Sequence, residues 1–185
     1  MDSALKLLQR TGRYGGKRNR YDNKDTFFDD SRELRDLYYQ YRITKIKVWE
    51  NKEGERIENI KGIQCFYKNI SKPQEEITLG PRAGGDLSTF KGQVKEITIG
   101  TDEYLIDFNI CTDNDIKHLS FTKVIKNPED KGKKYIRYEF GGDSGYSKII
   151  NLTKQDAMIF APYGSYNDNS LQTFGIYYVN RKEFI

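Results

Sequence analysis

The sequence predicts a single all-β domain, and three observations carry that reading. Its 185 residues include 14 tyrosines and 10 phenylalanines but 4 prolines, a composition that suits half-buried strands. Apolar and polar residues alternate from Ile43 onward, and no long stretch repeats at the helical period. Glycine pairs recur at Gly15-Gly16, Gly84-Gly85 and Gly141-Gly142, 69 and then 57 residues apart. Turns between twisted strands favour glycine, so the recurrence suggests an internal three-fold plan. A chain of this length buries a substantial core.

Taken in order, Leu5, Leu7 and Leu8 read as a first strand or a turn of helix, ended by Gly12, Gly15 and Gly16. Residues 1–26 carry seven Lys or Arg against three Asp, while the rest of the chain is balanced at 24 of each sign. We therefore expect a basic arm over 1–26, holding the first strand and the Gly-Gly loop, ahead of a domain over 27–185. Such an arm suits an acidic partner surface, with a solvated terminus as the plainer alternative. Arg13, Lys17, Arg18 and Arg20 are its candidate contacts. From Ser31 to Arg42, Leu34, Leu37, Tyr38 and Tyr41 fall at i, i+3, i+4 and i+7, which predicts a short helix capped by Ser31. Leu37, Tyr38 and Tyr41 are candidate partner contacts on that helix, or packing for the end of the domain.

The period then becomes two. Ile43–Trp49, Ile57–Tyr67, Tyr104–Thr112, Ile116–Val124 and Tyr135–Phe140 read as strands, with a turn around Gly54. Val94, Ile97 and Ile99 mark another. The last, Phe160 to Asn180, reads as a hairpin with a polar tip of Gly, Ser, Asn and Asp, the place where a ligand is expected.

Several kinds of chemistry are disfavoured. One histidine, His118, lies in a strand-like run, so no catalytic triad assembles around it. Cys65 and Cys111 show no metal spacing and read as reduced thiols. Paired carboxylates at Asp29/Asp30, Glu75/Glu76 and Asp113/Asp115 sit in turn-like text. The glycines after Leu79 lack a phosphate-loop signature. No run approaches a membrane span or a signal peptide, so the sequons at Asn69 and Asn151 are expected to stay unmodified. The interleaved cations and tyrosines of 13–21 could neutralise phosphates and stack on bases, but no nucleic-acid motif accompanies them.

Some of this text resembles a known family. Leu171-Gln172-Thr173-Phe174-Gly175-Ile176-Tyr177, Gly62-Ile63-Gln64-Cys65-Phe66-Tyr67, Lys95–Ile99 with Glu103–Leu105, Ile116–Thr122 and the Gly141–Gly145 elbow are similar, in order, to segments of jacalin-related lectins. The resemblance implies a β-prism of three four-stranded Greek-key sheets with pseudo-three-fold symmetry. It also implies a sugar held by amides of the first Gly-Gly loop and by the amides and Asp of the last loop, here Gly15, Gly16, Tyr166, Asn167, Asp168 and Gln172. The residues depart from the family at two points: Gln172 stands in place of the sugar-binding Asp, and Asp168 in place of a Gly. Gln offers one acceptor and one donor without the charge.

With that altered site, a long first loop, a basic arm and an added helix, the sequence favours a non-catalytic prism reused as a protein-interaction or structural subunit of a larger assembly. The expected setting is cytoplasmic, cytoskeletal association included, with no cofactor. The alternatives are a mannose- or glucose-type lectin and, third, a nucleic-acid accessory protein acting through the arm.

Overall fold

A computed structural model describes residues 9–15, 25–34, 40–72, 74–83, 87–126, 132–142, 145–152 and 157–180. Three antiparallel sheets enclose one core, and each is built around a hairpin. The first hairpin joins β4 (Tyr41–Glu53) to β5 (Arg56–Asn69), the second β9 (Glu103–Thr112) to β10 (Ile116–Lys126), and the third β13 (Ala157–Tyr166) to β14 (Leu171–Asn180).

Each hairpin gains an outer neighbour on both sides. The chain leaving β5 returns along it as β6 (Glu76–Thr78) and β7 (Arg82–Ala83), then crosses to the far side of β4 as β8 (Gln93–Thr98). The chain leaving β10 does the same, with β11 (Lys133–Gly141) beside β10 and β12 (Tyr146–Asn151) beside β9. The third sheet closes with the two ends of the chain. There β1 (Gln9–Arg10) and β2 (Tyr14–Gly15) pair with β14, and β3 (Thr26–Asp29) pairs with β13. Two sheets thus have a fourth position split into two short strands, and the pseudo-three-fold plan is met by all three.

Bulges decide which side chains face inward. A register shift between Ile43 and Lys45 moves the inward set of β4 from Tyr41 and Ile43 to Ile46, Val48 and Glu50. The rings of Phe108, Phe121, Phe140 and Phe174 meet edge to face at the centre, 5.8–6.3 Å apart. Strict alternation along Ile43–Trp49 misses that phase change.

The expected helix is described at its start, and residues 35–39 lie outside the described residues. Helix α1 spans Asp30–Glu33, and its cap is Asp29, which accepts from the Arg32 amide. Ser31 lies inside the helix and donates its hydroxyl to Asp29 Oδ1 at 2.7 Å. Leu34 and Tyr41 are both buried, but Tyr41 already belongs to β4. Their spacing is shared by core positions of two elements.

Candidate functional site

The three hairpin turns meet at one end of the prism, stitched by side chains. Asn51 Nδ2 donates to Asn59 Oδ1 at 2.6 Å and to the Asn169 carbonyl at 2.8 Å. Asn59 Nδ2 donates to Asp115 Oδ2 at 2.7 Å, and Lys117 pairs with the same carboxylate at 2.8 Å. The Lys61 ammonium donates to the Asp168 carbonyl. Burial pushes the Lys61 pKa below its ordinary value, with the Asp168 carboxylate pulling against that shift. The sequence gives no sign of this network, because its members lie on three different hairpins.

The final loop is closed on itself. Asn167 Oδ1 accepts from the amides of Asn169 and Ser170 at 2.9 and 3.0 Å, and the Asn167 amide donates to the Ser170 carbonyl at 3.1 Å. Gln172 Nε2 donates to Ser170 Oγ at 2.7 Å. The Asn167 amide, one of those that the resemblance would offer to a sugar, is therefore occupied. The side-chain acceptors left over among the described residues include the exposed Asp168 carboxylate, the Asn169 side-chain amide and Gln172 Oε1. Tyr166 stands beside them with its ring packed on Phe28, centroids 6.2 Å apart.

Gly15 brings the first loop to the same place. It pairs with Thr173, and a Cβ there would come within 2.2 Å of the Gln172 carbonyl oxygen, so a larger residue would push the two strands apart. Gly16 lies outside the described residues, as do Gly84 and Gly85. The third elbow is described at Gly141, whose φ of 86° and distance of 2.1 Å from a Cβ to the Lys117 carbonyl oxygen leave room only for glycine. Its amide donates to Glu50 Oε1 at 2.6 Å, and Lys95 pairs with that oxygen at 3.1 Å, while Glu50 itself is fully buried.

The candidate partner contacts separate. Arg13 is exposed, with its guanidinium over the rings of Phe27 at 5.2 Å and Tyr163 at 5.9 Å. Tyr41, expected on an exposed helix face, is core at 6% exposure and cannot be a surface contact. Lys17, Arg18, Arg20, Leu37 and Tyr38 lie outside the described residues. Asn69, a paper sequon, is 3% exposed, and its Oδ1 accepts from the amides of Ser71 and Lys72 at 2.9 Å. His118 is buried within β10.

A second buried polar cluster also escapes sequence reasoning. Asp30, fully buried, accepts from Tyr67 at 2.9 Å and from Arg82 Nε at 2.9 Å, and Arg82 also reaches Glu33 at 2.7 Å. Burial raises the Asp30 carboxyl to about 6 against the lowering pull of the Arg82 guanidinium. Among the described residues, no group of three or more His, Cys, Asp or Glu could hold a metal ion. Nor is any helix long and apolar enough to cross a membrane.

No protein-family model matches this chain, and no curated protein sequence does either. Solved structures do match. A mannose-binding jacalin-related lectin from Ananas comosus is 20% identical with a TM-score of 0.63, the match covering 93% of this chain and 97% of that one. Artocarpin, solved in complex with mannotriose, is 14% identical at a TM-score of 0.62 over the same shares. The agglutinin of Calystegia sepium is 15% identical at a TM-score of 0.60, covering 93% of this chain and 96% of that one. The chain has the fold of the jacalin-related lectins, a three-sided β-prism.

Proposed function

We propose that this chain is a non-enzymatic saccharide-binding module, with its site between Gly15 and the 166–172 loop. The observation that carries the reading is the seating of Gly15 on the Gln172–Thr173 backbone. It puts the first loop against the last, beside an exposed Asp168 carboxylate. A carboxylate accepts hydroxyl hydrogen bonds strengthened by its charge, and Gln172 Oε1 adds a neutral acceptor nearby. Asp168 thus takes over from a neighbouring position the role that Gln172 fills only in part. Support also comes from the mannose-binding pineapple lectin and the artocarpin–mannotriose complex, which share the fold. With the amides of Asn167, Asn169 and Ser170 spent internally, affinity for a monosaccharide is expected in the millimolar range, about −4 kcal/mol.

Calorimetric titration with methyl α-mannoside and with mannotriose tests this. Asp168→Ala should weaken binding by about tenfold or more, and Gln172→Ala by less. Equal affinity of wild type and Asp168→Ala, or no heat with either sugar, would remove the proposal.

A second reading, an interaction subunit of a larger assembly, draws on the edge strand β12. Tyr146 and Ile149 are 83% and 65% exposed there. Retention of assembly partners by a Tyr146→Ser/Ile149→Ser variant would count against it. A cytoplasmic setting belongs to that reading.

A further inference from the structure

The end of the prism away from the hairpin turns holds a cavity of about 520 Å³. Its floor is apolar, formed by Ile43, Ile99, Leu105, Met158 and Ile159, and Ile70 at its edge remains 42% exposed. The start of β4, the end of β5, the β8–β9 turn, the end of β10 and the start of β13 all contribute. Along β4 the nine residue steps from Arg42 to Asn51 separate it from the saccharide end by about 30 Å.

The rim carries an excess of cations among the described residues. Arg42 spends its guanidinium on the neutral carbonyls of Gly100 and Thr101 at 3.0 and 2.6 Å. Lys68 and Lys126 also line the cavity. None of the three makes an ion pair among the described residues, whereas Glu103 is already held by Lys123 at 2.8 Å. That leaves Asp102 as the one rim carboxylate without a basic partner among the described residues, facing three such cations. Asn69 Oδ1 is committed to the Ser71 and Lys72 amides, and its Nδ2 donates to Gln40 and Glu75.

A hollow of this volume falls in the range of ligand pockets. Its apolar floor rewards burial of a hydrocarbon body, and the excess positive charge at its mouth selects an anionic head. We propose that this cavity binds a small amphipathic anion, a free medium-chain aliphatic carboxylate, held by its chain over Leu105 and Ile159 with its head at Lys68 and Lys126.

The full chain is titrated with dodecanoate, dodecyltrimethylammonium and methyl α-mannoside, each below its aggregation concentration, and followed by methyl NMR and calorimetry. Dodecanoate is expected to shift the Ile70, Leu105 and Met158 methyls and to bind at least about tenfold more tightly than the cationic amphiphile. A Lys68→Glu/Lys126→Glu variant should reverse that preference. Ile159→Trp should abolish dodecanoate binding by filling the hollow, and Ile70→Trp, at the exposed edge, serves if the former unfolds. Equal affinity for the two amphiphiles, shifts confined to the 166–172 loop, or no binding overturns the proposal, whatever the mannoside result.

Discussion

At the end where the hairpin turns meet, Asn51, Asn59, Asp115, Lys117 and Lys61 satisfy one another or the final loop. At the opposite end Lys68 and Lys126 stand at the rim of an apolar hollow without a carboxylate partner among the described residues. The contrast separates polar groups that hold the backbone in place from those left for something outside the chain. At the first end the Asp168 carboxylate, the Asn169 side-chain amide and Gln172 Oε1 are left in the final loop among the described residues, so recognition there is narrow. At the second the floor supplies area and the rim supplies charge.

Removing a spent group should therefore cost stability, and removing an unspent one should not. The largest effect is expected at Glu50, which is fully buried between Lys95 and the Gly141 amide. Glu50→Ala should lower the unfolding free energy by about 3–5 kcal/mol in urea denaturation. Lys126→Ala, at the unspent rim, should stay within about 0.5 kcal/mol.

Asp30 sharpens the comparison between these extremes, since it is spent yet expensive to ionise. Its carboxyl is raised to about 6 from an ordinary 3.8, so the folded chain holds a proton that the unfolded chain has released. The stability this contributes is full below about pH 4 and is lost as pH rises through about 6, at most about 3 kcal/mol in all. Asp30→Asn should flatten that limb of a stability-versus-pH curve. An unchanged slope would show that another group carries it.

A smaller loss, about 1–2 kcal/mol, is expected for Asn59→Ala, which unlinks Asn51 from Asp115. It should also weaken mannoside binding, because Asn51 holds the Asn169 carbonyl in the final loop. An effect as small as that of Lys126→Ala is expected for Asp168→Ala, within about 0.5 kcal/mol in thermal unfolding, since its side chain is exposed.

The strands were legible because period two and glycine punctuation are local signals. Gly141 announces its elbow through a backbone angle other residues avoid. The helix expected over 31–42 is present at Asp30–Glu33, but Tyr41 packs from β4, so Leu34 and Tyr41 share a helical spacing from separate elements. Gly15 and the 166–172 loop could be paired only through resemblance, since 150-odd residues lie between them. Nothing local reveals that Asn167 consumes the loop amides, that Asp30 meets Tyr67 and Arg82, or that five elements leave a hollow at the far end. Such features depend on side chains brought together by the closed prism, and alternation alone does not encode them.

The most direct measurement is an amide NMR titration of the full chain with mannotriose. The account predicts shifts at Gly15, Asp168 and Gln172 that saturate together, with Ile70, Lys126 and Met158 unmoved. Shifts centred on the far end, or none anywhere at high millimolar sugar, would contradict it.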